Sequence, residues 1–209
     1  RRELGTHFFH LLPVSQLSSP TLTFAQMGSG KILHPFKTER DFRNFISRAQ
    51  GFSVWVDTAI ANMKEGVAKG IVQPKVLMER VLAQLEPLMA DDPAKNVLFG
   101  PLQMIPADLA TADKDRLTAD YTAAIRQVML PAYARLHAFI KMDYLPHCCD
   151  TAGIGSLPGG KEAYASSVRW QTTTDLTPEQ IHEIGLREVT RIKGEMEKIR
   201  VRVGFKGTL

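Results

Sequence analysis

Apolar residues recur at helical spacing over most of the chain, and the clearest run lies near its end. Between Pro178 and Val203 they follow alternating steps of four and three residues, with charged residues in the gaps, which places them on one face of an α-helix. Thr177 and Gln180 form a capping box at the start, and Gly204 follows the last turn. The pattern predicts a long amphipathic helix with one buried face. Its stripe consists of Gly185, Val189, Ile192, Met196, Ile199 and Val203.

The first half of the chain predicts further helices. Thr38 and Asp41 are typical of a helix start, and Gly51 is expected to separate this helix from a second one at residues 54–67. Gln73-Pro74 begins another run with an apolar face up to residue 88. The two runs on either side of the short connection at residues 68–72 are predicted to form an antiparallel helix pair.

A third long helix is predicted from about Ala107 to about Met142. Pro131 is expected to kink or break it, because proline lacks the N–H that a helix interior needs. Residues 162–170 fit a helix better than a strand, whereas residues 1–35 are interrupted by prolines and glycines and predict loops. The predicted fold class is therefore all-α, built from antiparallel helix pairs.

The chain is long enough for one domain of ordinary size, since it has 209 residues and 44% of them are hydrophobic. We predict a single helical region over residues 1–209, with a loop-rich lead-in at 1–35 and a helical core at 36–209. The sequence does not begin with methionine, and only earlier segments are left to cover the apolar face of the last helix. We therefore expect a piece of a longer domain.

Charge and hydropathy exclude two classes of partner. The net charge is +4, but lysine and arginine alternate with aspartate and glutamate instead of forming a basic run, and no nucleic-acid-binding motif accompanies them. We predict no nucleic-acid partner. No run of eighteen apolar residues occurs, so no membrane span is predicted within this sequence.

Residues 147–150, His-Cys-Cys-Asp, gather four groups with metal-binding or nucleophilic chemistry. Adjacent side chains seldom converge on one ion, and no second cysteine or histidine pair stands at zinc-site spacing. A thiol nucleophile would need a histidine supplied by the fold. Both alternatives stay open, but we favour a loop whose cysteines pack as small hydrophobic residues.

Two further motifs fall short of known sites. His182-Glu183 lies on the last predicted helix, but Leu186 stands where a zinc-binding helix needs its second histidine. Residues 155–161 have the glycine and lysine spacing of a phosphate loop, but Glu162 replaces the hydroxyl residue that contacts magnesium. We predict no catalytic residue and no metal site in this chain.

One short stretch has more aromatic, charged and hydroxyl side chains than a turn requires. Tyr164, Arg169 and Trp170 stand close together, followed by three threonines at 172–174. An arginine in a cleft can hold a carboxylate through two parallel hydrogen bonds. Tyr164, Arg169 and Trp170 are therefore candidate substrate-binding residues. The alternative is that the threonine hydroxyls simply bond to the local backbone.

Two stretches carry a family resemblance, IANMKEGVAKGIVQPKV at residues 60–76 and LPGGKEAY at 157–164, continuing through TTTDLTPEQ at 172–180. They resemble a bacterial family catalogued as domain of unknown function 885, whose members are described as helical, zincin-like metallopeptidases and are often lipoproteins. The resemblance is strongest at residues 60–85 and 157–197 and weaker between about 90 and 145. It implies a portion of a larger helical zincin-like domain.

In that family the presumed zinc element, His-Glu-x-x-Pro-Gly-His, lies in the later half of a longer protein, and this sequence has no such element. The resemblance therefore implies a non-catalytic N-terminal part of a zinc-dependent peptidase or hydrolase. That part would shape the cleft for a peptide-like substrate, with zinc bound only downstream. It also implies a cell-envelope or periplasmic location. The alternative is a stand-alone helical binding or scaffold module without enzymatic activity.

Overall fold

The structure is a computed structural model that describes residues 8–208. Within this range it contains seven α-helices and no β-strand, and an isolated bridge joins Pro74 to Cys149. The all-α class is confirmed. The helices are α1 (Pro20–Gly28), α2 (Glu39–Ala68), α3 (Lys75–Leu85), α4 (Thr111–Ala124), α5 (Leu130–Phe139), α6 (Gly160–Thr172) and α7 (Pro178–Arg202).

The chain divides into two compact units. The first unit, Phe8–Gly153, contains α1 to α5 and the main hydrophobic core. The second unit, in its described part, runs from residue 154 to 208 and contains α6 and α7. The first seven residues of the predicted loop-rich lead-in at 1–35 lie outside the described residues.

Helix α1 lies within the segment expected to be loop. Its start has a local cause, because the side chain of Ser19 accepts a hydrogen bond from the Thr21 N–H at 3.4 Å and Pro20 occupies the first helical position. The prolines and glycines that made this segment look irregular thus include a helix-starting proline. The helix then ends at Gly28.

Pro131 neither breaks nor visibly interrupts the predicted third helix. A π turn at Ile125–Met129 joins α4 to α5, and the Leu130 N–H donates to the carbonyl of Ile125, five residues earlier. A π turn widens the helix just before the proline ring. This relieves the clash and the missing hydrogen bond that a proline would cause in a regular helix. A second π turn, Ile140–Tyr144, follows α5.

Helix α2 runs parallel to this long helix. Glu39 pairs with Arg116 at 3.6 Å, the rings of Phe52 and Tyr133 lie 5.0 Å apart, and the Lys64 ammonium lies 5.7 Å from the Phe139 ring. Residue numbers rise together along the two helices. Their shared side is apolar, with Phe42, Phe45, Phe52, Val56 and Met63 of α2 buried.

Antiparallel packing occurs between the long helix and the segment that contains α3. The Lys75 N–H donates to the carbonyl of Cys149 at 2.9 Å, and Arg126 pairs with Asp91 at 2.9 Å. Numbers rise along one segment as they fall along the other. An antiparallel pair that includes α3 is thus found, but the partner of α3 is mainly the long helix. Helix α2, the predicted partner, runs in the opposite direction to α3 and packs on the long helix instead.

The centre of the first unit is an aromatic cluster. Phe36, Phe42, Phe45 and Tyr121 meet mostly edge to face, with ring centroids 5.0–6.2 Å apart. Aromatic rings favour this geometry because the positive ring edge meets the negative ring face. The cluster joins α4 to the start of α2.

Helix α7 has the predicted extent and capping box, but the prediction of a buried face is wrong for the described residues. None of its residues is buried, and the side chains of its apolar stripe are 46–67% exposed. The predicted helical spacing of these apolar residues is confirmed. The described part of the second unit simply contains no surface that covers this stripe.

Candidate functional site

The three candidate substrate-binding residues lie on α6, in the second unit. Tyr164 and Trp170 are 49% and 62% exposed, and Arg169 is exposed without a side-chain partner among residues 8–208. At about 100° per residue, Arg169 and Trp170 lie about 100° apart around the helix, and Tyr164 is about 120–140° from both. The three side chains therefore point to different sides of α6 and do not form one cluster.

The threonines that follow α6 bond locally. Thr172 Oγ1 donates to the carbonyl of Val168 at 2.8 Å and lies 3.0 Å from Thr174 Oγ1. Thr173 adopts a positive φ of 56° and ends the helix. The interpretation that these hydroxyls stabilise the turn is confirmed.

The glycines of residues 155–161 also have a structural role. Gly159 has a φ of +69° at the start of α6, a conformation that side-chain-bearing residues rarely adopt. A Cβ on Gly160 would collide with the carbonyl oxygen of Ile154. The tight turn into α6 accounts for both glycines without a phosphate ligand.

Residues 72–75 and 144–149 form a joint between two segments of the first unit. The Tyr144 hydroxyl accepts from the Gln73 N–H at 2.8 Å, and the Cys149 N–H donates to the carbonyl of Gln73 at 3.3 Å. The two cysteines are free thiols that pack against the core and donate to backbone carbonyls. The preferred packing interpretation is confirmed.

The thiol-nucleophile alternative receives no support from electrostatics. Burial, together with the neighbouring Cys149, raises the pKa of the Cys148 thiol to about 11. The thiolate is the nucleophilic form of cysteine. At neutral pH Cys148 is therefore almost entirely protonated.

The residues present do not fit a zinc ion. Across residues 8–208, no three His, Cys, Asp or Glu side chains are grouped closely enough to hold a metal. His182 is exposed on α7, and Leu186 occupies the position one turn further on. Likewise, none of the described helices is long and apolar enough to cross a bilayer.

A cavity between α1 and α2 was missed by the sequence analysis. Its volume is about 580 Å³, and an exposed arginine lies at an aromatic wall. Its lining includes Phe24, Met27, Arg48, Gly51, Phe52 and Trp55. The sequence predicted a break at Gly51, but α2 continues through it from Glu39 to Ala68, which places Gly51, Phe52 and Trp55 on the same helix. α1, the other wall, was not predicted.

Comparison with known proteins gives one family and one fold. The family described as "Bacterial protein of unknown function (DUF885)" matches residues 1–209. A crystal structure described as the "putative lipoprotein from Colwellia psychrerythraea" is similar, with a TM-score of 0.82 and 24% sequence identity. The alignment covers 93% of this chain and 33% of that one, so the chain spans about a third of its length. No curated protein matches significantly.

Proposed function

The chain belongs to the bacterial DUF885 family, and from that premise we propose that it forms a non-catalytic, substrate-facing part of a cell-envelope hydrolase. Its helices build one wall of a cleft, and the catalytic groups come from a further part of the protein. The hydrolase class follows from the family resemblance. The cell-envelope location is supported by the lipoprotein name of the Colwellia protein.

The observation that carries the proposal is the share of the related fold that this chain represents. Nearly all of this chain aligns with the Colwellia structure, yet two thirds of that structure lies outside the alignment. A protein built on the same plan has ample further chain for catalytic residues. The exposed stripe of α7 supports the same interpretation, because it is an apolar surface suited to pack against such a region.

Substrate contact is proposed for the exposed part of α6 that carries Arg169 and Trp170. The guanidinium is exposed and has no side-chain partner within residues 8–208, so it is available to a peptide carboxylate. Trp170 offers a large apolar face. Tyr164, on another sector of the helix, would contact a different part of a peptide-like substrate.

The proposal is tested on the full-length protein of the source bacterium. An antibody against this segment, used on cell extract, should detect a product roughly double the 23.3 kDa of this chain or larger. Metal analysis and hydrolysis of a peptide panel then follow on the purified protein. A product of 23.3 kDa without hydrolytic activity would exclude the proposal.

Arg169→Ala tests the substrate-facing role separately. We expect a rise in KM for peptides with a free C-terminal carboxylate and little change for amidated peptides, because two charged hydrogen bonds are lost. Arg40→Ala, which removes an exposed arginine from the first unit, is the matched control. Unchanged kinetics in Arg169→Ala would remove Arg169 from the site.

A second candidate is a helical binding module without activity. The exposed apolar stripe of α7 favours it, because such surfaces commonly recruit another protein. The same mass measurement separates the two candidates. A native product of 23.3 kDa that co-purifies with a stoichiometric protein partner would support the module.

A further inference from the structure

The cavity between α1 and α2 has a continuous aromatic wall. The rings of Phe24 and Phe52 stack at 4.2 Å with an interplanar angle of 1°, and Phe52 and Trp55 stack at 5.8 Å. Both phenylalanines are buried, so core packing fixes their positions. Trp55 is only partly buried. The volume of about 580 Å³ lies within the range of small-molecule pockets.

Arg48 places a positive charge at this wall without a compensating carboxylate. Its only side-chain hydrogen bond among the described residues is from Nη1 to the thioether sulfur of Met27 at 3.9 Å, and sulfur is a weak acceptor. No ion pair involving Arg48 occurs in residues 8–208, and the α2 residues one turn away carry no acid. The guanidinium keeps most of its donors available for an anion.

Gly51 contributes no side chain to the lining of the cavity. It lies inside the 30-residue helix α2, where glycine is unfavourable compared with alanine. A Cβ at this position would meet no atom within 4 Å, so packing does not require glycine here. The same helix has another glycine, Gly66, whose added Cβ would collide with the carbonyl of Ile71. Of these two glycines, Gly51 is the one that leaves space for a ligand.

We infer that this cavity binds a small carboxylate with a flat apolar body, such as an aryl acid. The apolar body packs against the exposed part of Trp55, and the carboxylate accepts hydrogen bonds from Arg48. The first turn of α1 also lines the cavity with Ser18, Ser19 and Pro20, and its dipole favours negative charge. The inference concerns the first unit alone and does not depend on the proposed function.

The probe is phenylacetate, and the signal is tryptophan fluorescence. The chain has two tryptophans, so Trp170→Phe leaves Trp55 as the only tryptophan. We expect a saturable fluorescence change with phenylacetate. Phenylacetamide, which keeps the ring but loses the charge, should bind about tenfold more weakly or worse, and acetate should give no saturable change.

Two matched pairs of variants locate the site. Arg48→Gln should weaken phenylacetate binding about tenfold or more, whereas Arg40→Gln, an exposed arginine outside the cavity lining, should not. Gly51→Leu should weaken binding by occupying part of the cavity. Gly194→Leu, at a helical glycine of α7 that also faces open space, should leave it intact.

Circular dichroism establishes that each variant is folded, and Gly51→Leu is expected to keep or increase helix content, because leucine is a better helix former than glycine. Three outcomes would each overturn the inference. They are no saturable signal with phenylacetate, equal affinity for phenylacetate and phenylacetamide, or undiminished binding by a folded Gly51→Leu variant.

Discussion

Removing the hydroxyl of Tyr121 should stabilise the protein, while the same change at Tyr133 should destabilise it. Both side chains are fully buried in the first unit. The Tyr133 hydroxyl donates to the carbonyl of Thr21 at 2.8 Å. The Tyr121 hydroxyl has no hydrogen-bond partner among the described residues and is enclosed by the aromatic cluster. The same substitution at two buried tyrosines is therefore predicted to change the free energy of unfolding in opposite directions.

The size of each change in the free energy of unfolding depends on what happens to the hydrogen-bond partner of the hydroxyl. Tyr133→Phe removes the hydrogen bond from the Tyr133 hydroxyl to the carbonyl of Thr21, which costs about 0.5–1.5 kcal/mol, because that carbonyl lies in the first turn of α1 and keeps its bond within the helix. Tyr121→Phe removes a hydroxyl that was desolvated on folding without compensation, so we expect a gain of about 1 kcal/mol. Tyr144→Phe leaves the Gln73 N–H without an acceptor and should cost about 1 kcal/mol.

Tyr164→Phe is the internal control. This side chain is about half exposed on α6, and surface changes of this kind usually alter stability by less than ~0.5 kcal/mol. Urea denaturation followed by circular dichroism gives the free energy of unfolding of each variant, and equal m-values establish that the comparison is valid. Tyr121→Phe losing as much stability as Tyr133→Phe would refute the reasoning, because the Tyr121 hydroxyl would then have a partner.

Two further predictions concern titration. The hydrogen bond with the Thr38 side chain lowers the pKa of Asp41 below its ordinary value of 3.8, so its contribution to stability is present above pH 3.8 and is lost as the pH falls through the lower folded value. Asp41→Asn should lose less stability than the wild type during acid titration by circular dichroism, and an unchanged acid profile would contradict this assignment. Because its pKa is about 11, Cys148 should have only about one thiolate per thousand molecules at pH 8. Mass spectrometry should show slow alkylation by iodoacetamide that accelerates up to pH 11, and rapid alkylation at pH 7 would contradict the raised pKa.

Features with a local cause were predictable from the sequence. The capping boxes at Thr38 and Thr177 form as expected, because each needs only a side chain and the backbone three residues away. The same holds for α6, whose start is set by the turn at Gly159. These elements depend on few contacts from distant parts of the chain.

Features that depend on tertiary packing were not predictable. Nothing in the sequence around Pro131 distinguishes a kink from a π turn, and the choice maintains the packing of α4 and α5 against α2. The parallel direction of α2 and the long helix is also set by pairs far apart in sequence, such as Glu39 with Arg116. The cavity at Arg48 was missed for the same reason, since one wall belongs to α1.

The stripe of α7 shows how a correctly predicted periodicity still leaves the partner open. Val189, Ile192, Met196, Ile199 and Val203 are each roughly half exposed. Completing the burial of one such side chain contributes about 1 kcal/mol, so the stripe offers about 5 kcal/mol to a surface that covers it. A symmetric dimer would cover two stripes and gain about 10 kcal/mol, but association costs about 4–15 kcal/mol, so the net gain falls short of the roughly 8 kcal/mol that a micromolar dimer requires.

A covering segment in the same polypeptide avoids most of the association entropy, so the stripe alone is strong enough for intramolecular packing but not for a tight dimer. We therefore expect this 209-residue chain to sediment as a monomer at micromolar concentration and to bind an apolar dye such as ANS. Met196→Gln with Ile199→Gln should remove much of the dye binding, while Arg187→Gln on the same helix should not. A stable dimer that the double variant dissociates would show that intermolecular packing is stronger than this calculation allows, and it would favour the binding-module alternative.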